Sequence, residues 1–342
     1  MVKQQNEFYE GYKLIKDIKS DQIGLLLKKG SILDIKTIER LNRFQVSIED
    51  YATCIEEPKK SIERKVDQVI QSYQKDFDRM GEGREITDKL EKELLPVIIE
   101  MVEEAGIDEI MISVQSKDDY LYRHNVAVSI LSAKLAAWLG FSKEKVSRVA
   151  FSGLLHDVGK TKIPLAILQK TSRLTHQEFE IMKYHSRFGY DILKSQNLDD
   201  DICRATLEHH LREDGTGYPD EKQGHPIHEF AKIIAIADTF HAMTSNRVYR
   251  KGLSFYVALK ELRRESFGRL NPKMTNTFIK KIMEMSIGNT VRLSDGRKGK
   301  ITFIPVEDPI NPYVQVDGEM IITSTSDIFV EHFLQEIEVV SV

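Results

Sequence analysis

Leu154-Leu155-His156-Asp157-Val158-Gly159-Lys160 sets a histidine and an aspartate side by side at the end of an apolar run. A neutral imidazole and a carboxylate are good ligands for a borderline divalent metal, and two adjacent residues hold one only if other segments close the shell. The chain has ten histidines, and a lone helical histidine is more often a surface or hydrogen-bonded residue than a ligand. Their distribution changes that balance. His124 lies among the apolar positions of one helical pattern, and His156-Asp157 ends the next. His185 sits on a third, His209-His210 end a fourth, and Asp238 lies in the apolar run Ile233-Ile234-Ala235-Ile236-Ala237. An aspartate at the end of such a run is costly to bury unless something neutralises it, and a metal does so.

The 342 residues suffice for two or three modules. With 41% apolar and 30% charged residues the composition is that of an ordinary soluble protein. A net charge of −4 gives no reason to expect a nucleic-acid polymer or an anionic membrane as a general partner. No apolar run approaches the roughly 20 residues of a membrane span, and the polar stretch Met1 to Lys13 lacks a signal-peptide core. Cys54 and Cys203 fall in no pairing pattern, so the expected setting is a reducing cytoplasm with structural thiols.

The periodicity divides the chain into four parts. Residues 1–60 read as a small α or α/β module in which Asp34 caps a helix carrying Ile35, Ile38 and Leu41. Residues 61–112 read as connecting amphipathic helices: one with Ile62, Val66, Val69, Ile70, Tyr73 and Phe77 on one side, and one from Thr87 through Glu104 kinked at Pro96. They could be a coupling stalk, a dimer surface, or helices packed on their own domain. Residues 113–287 are almost wholly helical. Ser142 is an N-cap, and Thr175-His176-Gln177-Glu178 fits a capping box that opens a helix through Leu193. Further helices run from Asp199 to His210 and from Phe230 to about Asn246. In 288–342 the period switches to strand, with Asp295-Gly296 and Asp317-Gly318 as hairpin turns. The fold class is therefore mainly α, a helical bundle with a short C-terminal β-hairpin module.

The order His124, His156-Asp157, His185, His209-His210, Asp238 resembles the HD-GYP subfamily of the HD phosphohydrolases. Gly217-Tyr218-Pro219 supplies the namesake tripeptide, Lys160 closes an HDxGK element, and Arg247-Val248-Tyr249-Arg250 resembles the family's RPYR. The resemblance covers roughly residues 115–285 and implies an HD-type bundle acting as a metal-dependent cyclic di-GMP phosphodiesterase. It also implies that His124, His156, Asp157 and Asp238 hold one metal, and that His185, His209 and His210 hold a second with Asp157 bridging. Some members carry a glutamate one helical turn before the first histidine and bind a third metal; here that position is Tyr120, so two ions are expected. Adjacent helical side chains diverge by about 100°, so His209 and His210 share a metal only near a helix end, which the loop from Leu211 supplies. Four positions depart from the pattern: Leu211 for the glutamate after the paired histidines, His241 for a frequent aspartate, Val248 for proline, and Asn271-Pro272 for Asp-Pro.

The implied chemistry is hydrolysis to linear pGpG, or onward to GMP, by a hydroxide bridging two divalent cations, with Asp157 and Lys160 as catalytic residues. Lys160, Arg247, Arg250 and Tyr218 would bind substrate, one phosphate on the metals and the other on the basic group. A nitrogen- and oxygen-rich shell without thiolates fits iron or manganese. The Gly215-Thr216-Gly217-Tyr218-Pro219 loop either borders the substrate, contacts a diguanylate-cyclase domain, or only shapes a turn over the metals. Homodimerisation is a further expectation. The competing readings are a non-catalytic cyclic di-GMP-binding module, a phosphodiesterase for a mixed cyclic GMP-AMP dinucleotide, and a two-iron oxygenase. His176, His225, His228 and His332 read as bystanders.

Overall fold

The computed structural model describes residues 120–219, 226–245 and 252–334 without a break, 62–83 and 90–106 before them, residue 110, and short pieces of the N-terminal part (12–14, 16–20, 24–27, 31–34, 37–38, 41 and 55–56). The chain forms two compact units, Met1–Arg64 and Lys65–Val342. In the first, β1 (Lys13–Leu14) pairs antiparallel with β4 (Ile55–Glu56), and β2 (Ile18–Ser20) with β3 (Gly24–Leu27). Leu14, Ile18, Leu33, Ile38 and Leu41 form its small core. Asp34 Oδ1 accepts from Thr37 N at 2.6 Å, the cap expected there. Strands beside helical residues favour the α/β form of this module over the all-α one.

The second unit takes up α1 (Ile62–Gly81) from Lys65 onward, followed by a π-helical turn (Leu90–Leu94) and α2 (Leu95–Glu104). Near Pro96, where a kink is expected, the helical type changes from π to α. The irregularity falls in the π turn, and Pro96 lies in the first turn of α2, where a missing N–H costs no hydrogen bond. The central helix α3 (Tyr120–Trp138) is buried along almost its whole length and packs against α4 (Lys143–Leu155). The Tyr73 hydroxyl of α1 donates to Leu154 O at 2.5 Å and accepts from Asn125 Nδ2 at 2.9 Å. Lys134 Nζ donates to the carbonyls of Val102 (2.8 Å) and Ala105 (2.9 Å) at the end of α2. Of the three readings open for these helices, packing on their own domain is the one these contacts realise.

Ser142 caps α4 by accepting from Lys145 N at 3.3 Å. A 3-10 turn (Val158–Lys162) and α5 (Leu165–Leu168) follow, and the capping box of Thr175 and Glu178 opens α6 (His176–Lys183). The single helix expected through Leu193 is broken at Tyr184, and α7 (His185–Ser195) starts afresh. The reason is local: His185 Nδ1 takes the Met182 carbonyl at 2.7 Å, an acceptor that a continuing helix would need. α8 (Asp200–Glu208), α9 (Glu229–Thr244), α10 (Phe255–Glu265) and α11 (Pro272–Met285) complete the bundle. Asn271 caps α11 through Met274 N at 3.1 Å, so the departure from Asp-Pro leaves the cap intact.

The C-terminal strands β5 (Thr290–Leu293), β6 (Lys298–Phe303), β7 (Tyr313–Val316), β8 (Glu319–Ile322) and β9 (Val330–Phe333) form one antiparallel sheet in the order β8-β7-β6-β5-β9. Both Asp-Gly pairs lie in its turns, with Asp317 and Gly318 at φ 50° and 88°. The module is larger than a hairpin because β9 returns to pair with β5.

Gly159 fixes how closely the 3-10 turn and α7 approach: a Cβ there would lie 1.9 Å from His185 O and 2.4 Å from Gly189 N. Backbone cannot yield as a side chain can. Gly159→Ala should therefore lower the free energy of urea unfolding by about 1–3 kcal/mol, whereas Lys162→Ala on the exposed side should change it by less than about 0.5 kcal/mol.

Candidate metal centre

Five helices converge on one buried point. His124 comes from the first turns of α3, His156 and Asp157 follow the end of α4, and His185 opens α7. His209 and His210 stand just past the end of α8, where the turn brings their ring centroids to 4.0 Å, and Asp238 projects from α9. All seven residues singled out as ligands in the sequence are thus brought together. His185, His209 and His210 offer ligand atoms within 4.8 Å of one another, as do His124, His156 and Asp238. Asp157 lies between the two groups. Its Oδ2 is 3.5 Å from His156 Nε2 and 3.8 Å from His124 Nε2, while Oδ1 is 3.4 Å from His185 Nε2. His124 Nε2 is 3.1 Å from Asp238 Oδ1, and the Nε2 atoms of His185 and His209 are 3.4 Å apart.

Burial drives the imidazoles of His124, His209 and His210 below the ordinary histidine range and takes His185 down to about 4, so each is neutral with a lone pair to offer. Burial pushes the Asp157 carboxyl up, but Lys160 and the imidazoles around it outweigh that and hold it well below the usual carboxylate range. Asp238 is likewise held low against its burial, chiefly by its close contact with His124. His156 Nε2 and Asp157 Oδ1 are buried with no hydrogen-bond partner. Leaving such atoms unsatisfied costs about 1–3 kcal/mol each. A divalent cation satisfies both, and the neutral-nitrogen and carboxylate-oxygen donor set fits one.

The outward nitrogens fix the rings. Nδ1 of His156, His185 and His209 each faces the carbonyl three residues earlier: Gly153 (2.8 Å), Met182 (2.7 Å) and Thr206 (2.7 Å). Donation from Nδ1 leaves Nε2 as the acceptor aimed at the centre. His124 differs: its Nδ1 lies 2.8 Å from Nδ1 of His241, which is 1% exposed. In the sequence His241 stands out only as a departure from a frequent aspartate. Its position three residues after Asp238 on α9 puts both on one helix face, a spacing that could have placed it at the site.

Lys160 Nζ contacts Asp157 Oδ2 at the rim of the centre. Tyr218 lies over the histidines, its ring centroid 4.5 Å from His210 and 6.0 Å from His185. Gly217 permits this turn: at φ 99°, a Cβ there would lie 2.1 Å from His210 O. Arg247 and Arg250 fall outside the described residues. His228 caps α9 and lies 3.1 Å from Asp201 Oδ1, and His176 is exposed, as expected of bystanders.

Residues 110–274 match the HD domain family. Two curated relatives share the region: a cyclic di-GMP phosphodiesterase of Pseudomonas aeruginosa, 33% identical over 210 residues (60% of this chain, 50% of the relative), and the 3'3'-cGAMP-specific phosphodiesterase 1 of Vibrio cholerae, 33% identical over 186 residues (51% and 42%). The HDxGK and Gly-Tyr-Pro elements lie within the matched stretch. That stretch is thus similar to the HD domain family and carries both elements of the HD-GYP resemblance. The chain spans half or less of the length of these two relatives. Among solved structures, an HDG"Y"P protein of Bdellovibrio bacteriovorus aligns with a TM-score of 0.51 at 17% identity, over 79% of this chain and 95% of its own, a likeness of fold. No described helix of the HD domain or its flanking modules is long and apolar enough to cross a membrane.

Asp157→Asn removes the charge facing both groups while preserving shape. It should weaken divalent-cation binding by at least about 100-fold, read by competition with a chromophoric chelator, whereas His176→Ala should leave affinity unchanged.

Proposed function

We propose that the HD domain hydrolyses a cyclic dinucleotide phosphodiester, cyclic di-GMP to linear pGpG or onward to GMP. The observation that carries this reading is the Asp157 carboxylate facing two separate groups of neutral imidazoles, with buried donor atoms otherwise unmatched. His124, His156, Asp157 and Asp238 would hold one divalent ion, and Asp157 with His185, His209 and His210 a second. Iron or manganese suits this shell. When bound, such ions make water nucleophilic near neutral pH and draw charge from the phosphate oxygens.

The chain's own residues supply orientation and charge. Lys160, 22% exposed at its side chain, keeps one side toward solvent from which it can meet a phosphate oxygen while its ammonium neutralises Asp157. Tyr218 closes one wall of the centre, where its half-buried phenol, pushed above its ordinary range by loss of solvent, stays protonated and able to donate. Arg247 and Arg250 are proposed for the second phosphate of the cyclic substrate. On the same reading the 215–219 loop meets a diguanylate-cyclase domain, and the protein pairs with a second copy in the cytoplasm.

A mixed cyclic GMP-AMP substrate is the second candidate, because one relative bears that name. Anaerobically purified, metal-loaded protein incubated with each dinucleotide and resolved by chromatography should yield pGpG from cyclic di-GMP. His156→Ala should lower that turnover by more than about 100-fold. Tight binding without product would favour a non-catalytic module, and faster turnover of the mixed dinucleotide would reassign the substrate.

A further inference from the structure

His241 sits outside both groups of candidate ligands yet is buried against one of them. Its Nδ1 lies 2.8 Å from Nδ1 of His124, and the Ser245 hydroxyl at the end of α9 lies 3.3 Å from its Nδ1 and 3.2 Å from its Nε2. Two imidazole nitrogens at that separation share one proton, so one ring donates and the other accepts. There are two ways to place it. If His241 donates, His124 carries its own proton on Nε2, toward Asp238, and has no lone pair for a cation. If His124 donates, its Nε2 turns a lone pair toward Asp238 and Asp157, and His241 carries its own proton on Nε2, 3.2 Å from Ser245 Oγ.

We propose that His241 is a positioning residue for the metal centre: it accepts the Nδ1 proton of His124 and so locks that ring in the tautomer that presents Nε2 to the cation. The role rests on the metal-holding reading of the site and extends it. His156, His185 and His209 have their tautomers set by backbone carbonyls, which any sequence supplies. Nδ1 of His124 instead faces a side chain, that of a replaceable residue. That side chain is neutral where an aspartate would be anionic. An anionic partner makes a ligating imidazole more basic and adds a negative charge beside the cation; the imidazole partner orients the ring without doing either. The group formed by His124, His156 and Asp238 is therefore oriented for a cation but holds it less tightly than the same group backed by a carboxylate.

The test uses full-length protein labelled with 15N-histidine and loaded with Zn2+, a diamagnetic probe. The role assigned to His241 requires a trans-hydrogen-bond 15N–15N coupling between the Nδ1 atoms of His124 and His241, with the proton on His124. His241→Leu should remove that coupling and lower zinc affinity by about 10–100-fold, whereas His241→Asp should bind zinc at least as tightly as the unaltered protein. Zinc bound without the coupling, His241→Leu affinity within twofold of the unaltered value, or His241→Asp as weak as His241→Leu would each overturn the proposal. If His241→Leu does not fold, the coupling in the unaltered protein decides alone. Failure to take up zinc at all would remove the metal reading together with this one, whereas zinc uptake without the coupling would remove only the role of His241.

Discussion

The Asp157 carboxylate is the constraint on which the rest depends. It is 1% exposed and has an oxygen turned to each of two clusters of imidazoles, with one of those oxygens lacking any hydrogen bond. A buried carboxylate among neutral rings is unfavourable without positive charge nearby. Lys160 supplies part of it from the rim. The donor set around the remaining oxygen suits a cation better than any side chain in reach.

The close helix packing follows from that requirement. Gly159 lets the 3-10 turn rest on the backbone of α7, which carries His185 to Asp157. The break at Tyr184 serves the same end, because it turns His185 inward and gives its outer nitrogen the Met182 carbonyl. Ending α8 at Glu208 lets two successive histidines face one point, which a continuing helix forbids. Tyr218 then closes the wall through a turn that only glycine fits at residue 217.

Much of this was legible in the sequence because it rests on local signals. Ser142, Thr175 with Glu178, and Asp34 cap the helices they announce, and the Asp-Gly pairs turn the strands they separate. The seven candidate ligands stood out through their order along the chain, which resembles that of the HD-GYP subfamily. What escaped depends on side-chain competition for backbone groups or on contacts distant in sequence. The break at Tyr184 arises from a side chain competing for a backbone carbonyl, which helical periodicity does not register. The return of β9 to β5 is a pairing across nearly the whole module. His241 gained its meaning only when α9 was laid against α3, 117 residues away in sequence.

The central claim is that Asp157 stands between two cations. Diffraction data from crystals of metal-loaded protein, collected at the absorption edge of the bound metal, test it most directly. The account predicts two anomalous peaks flanking the Asp157 carboxylate, one beside His124, His156 and Asp238, the other beside His185, His209 and His210. A single peak away from Asp157, or no peak among these residues, would contradict it.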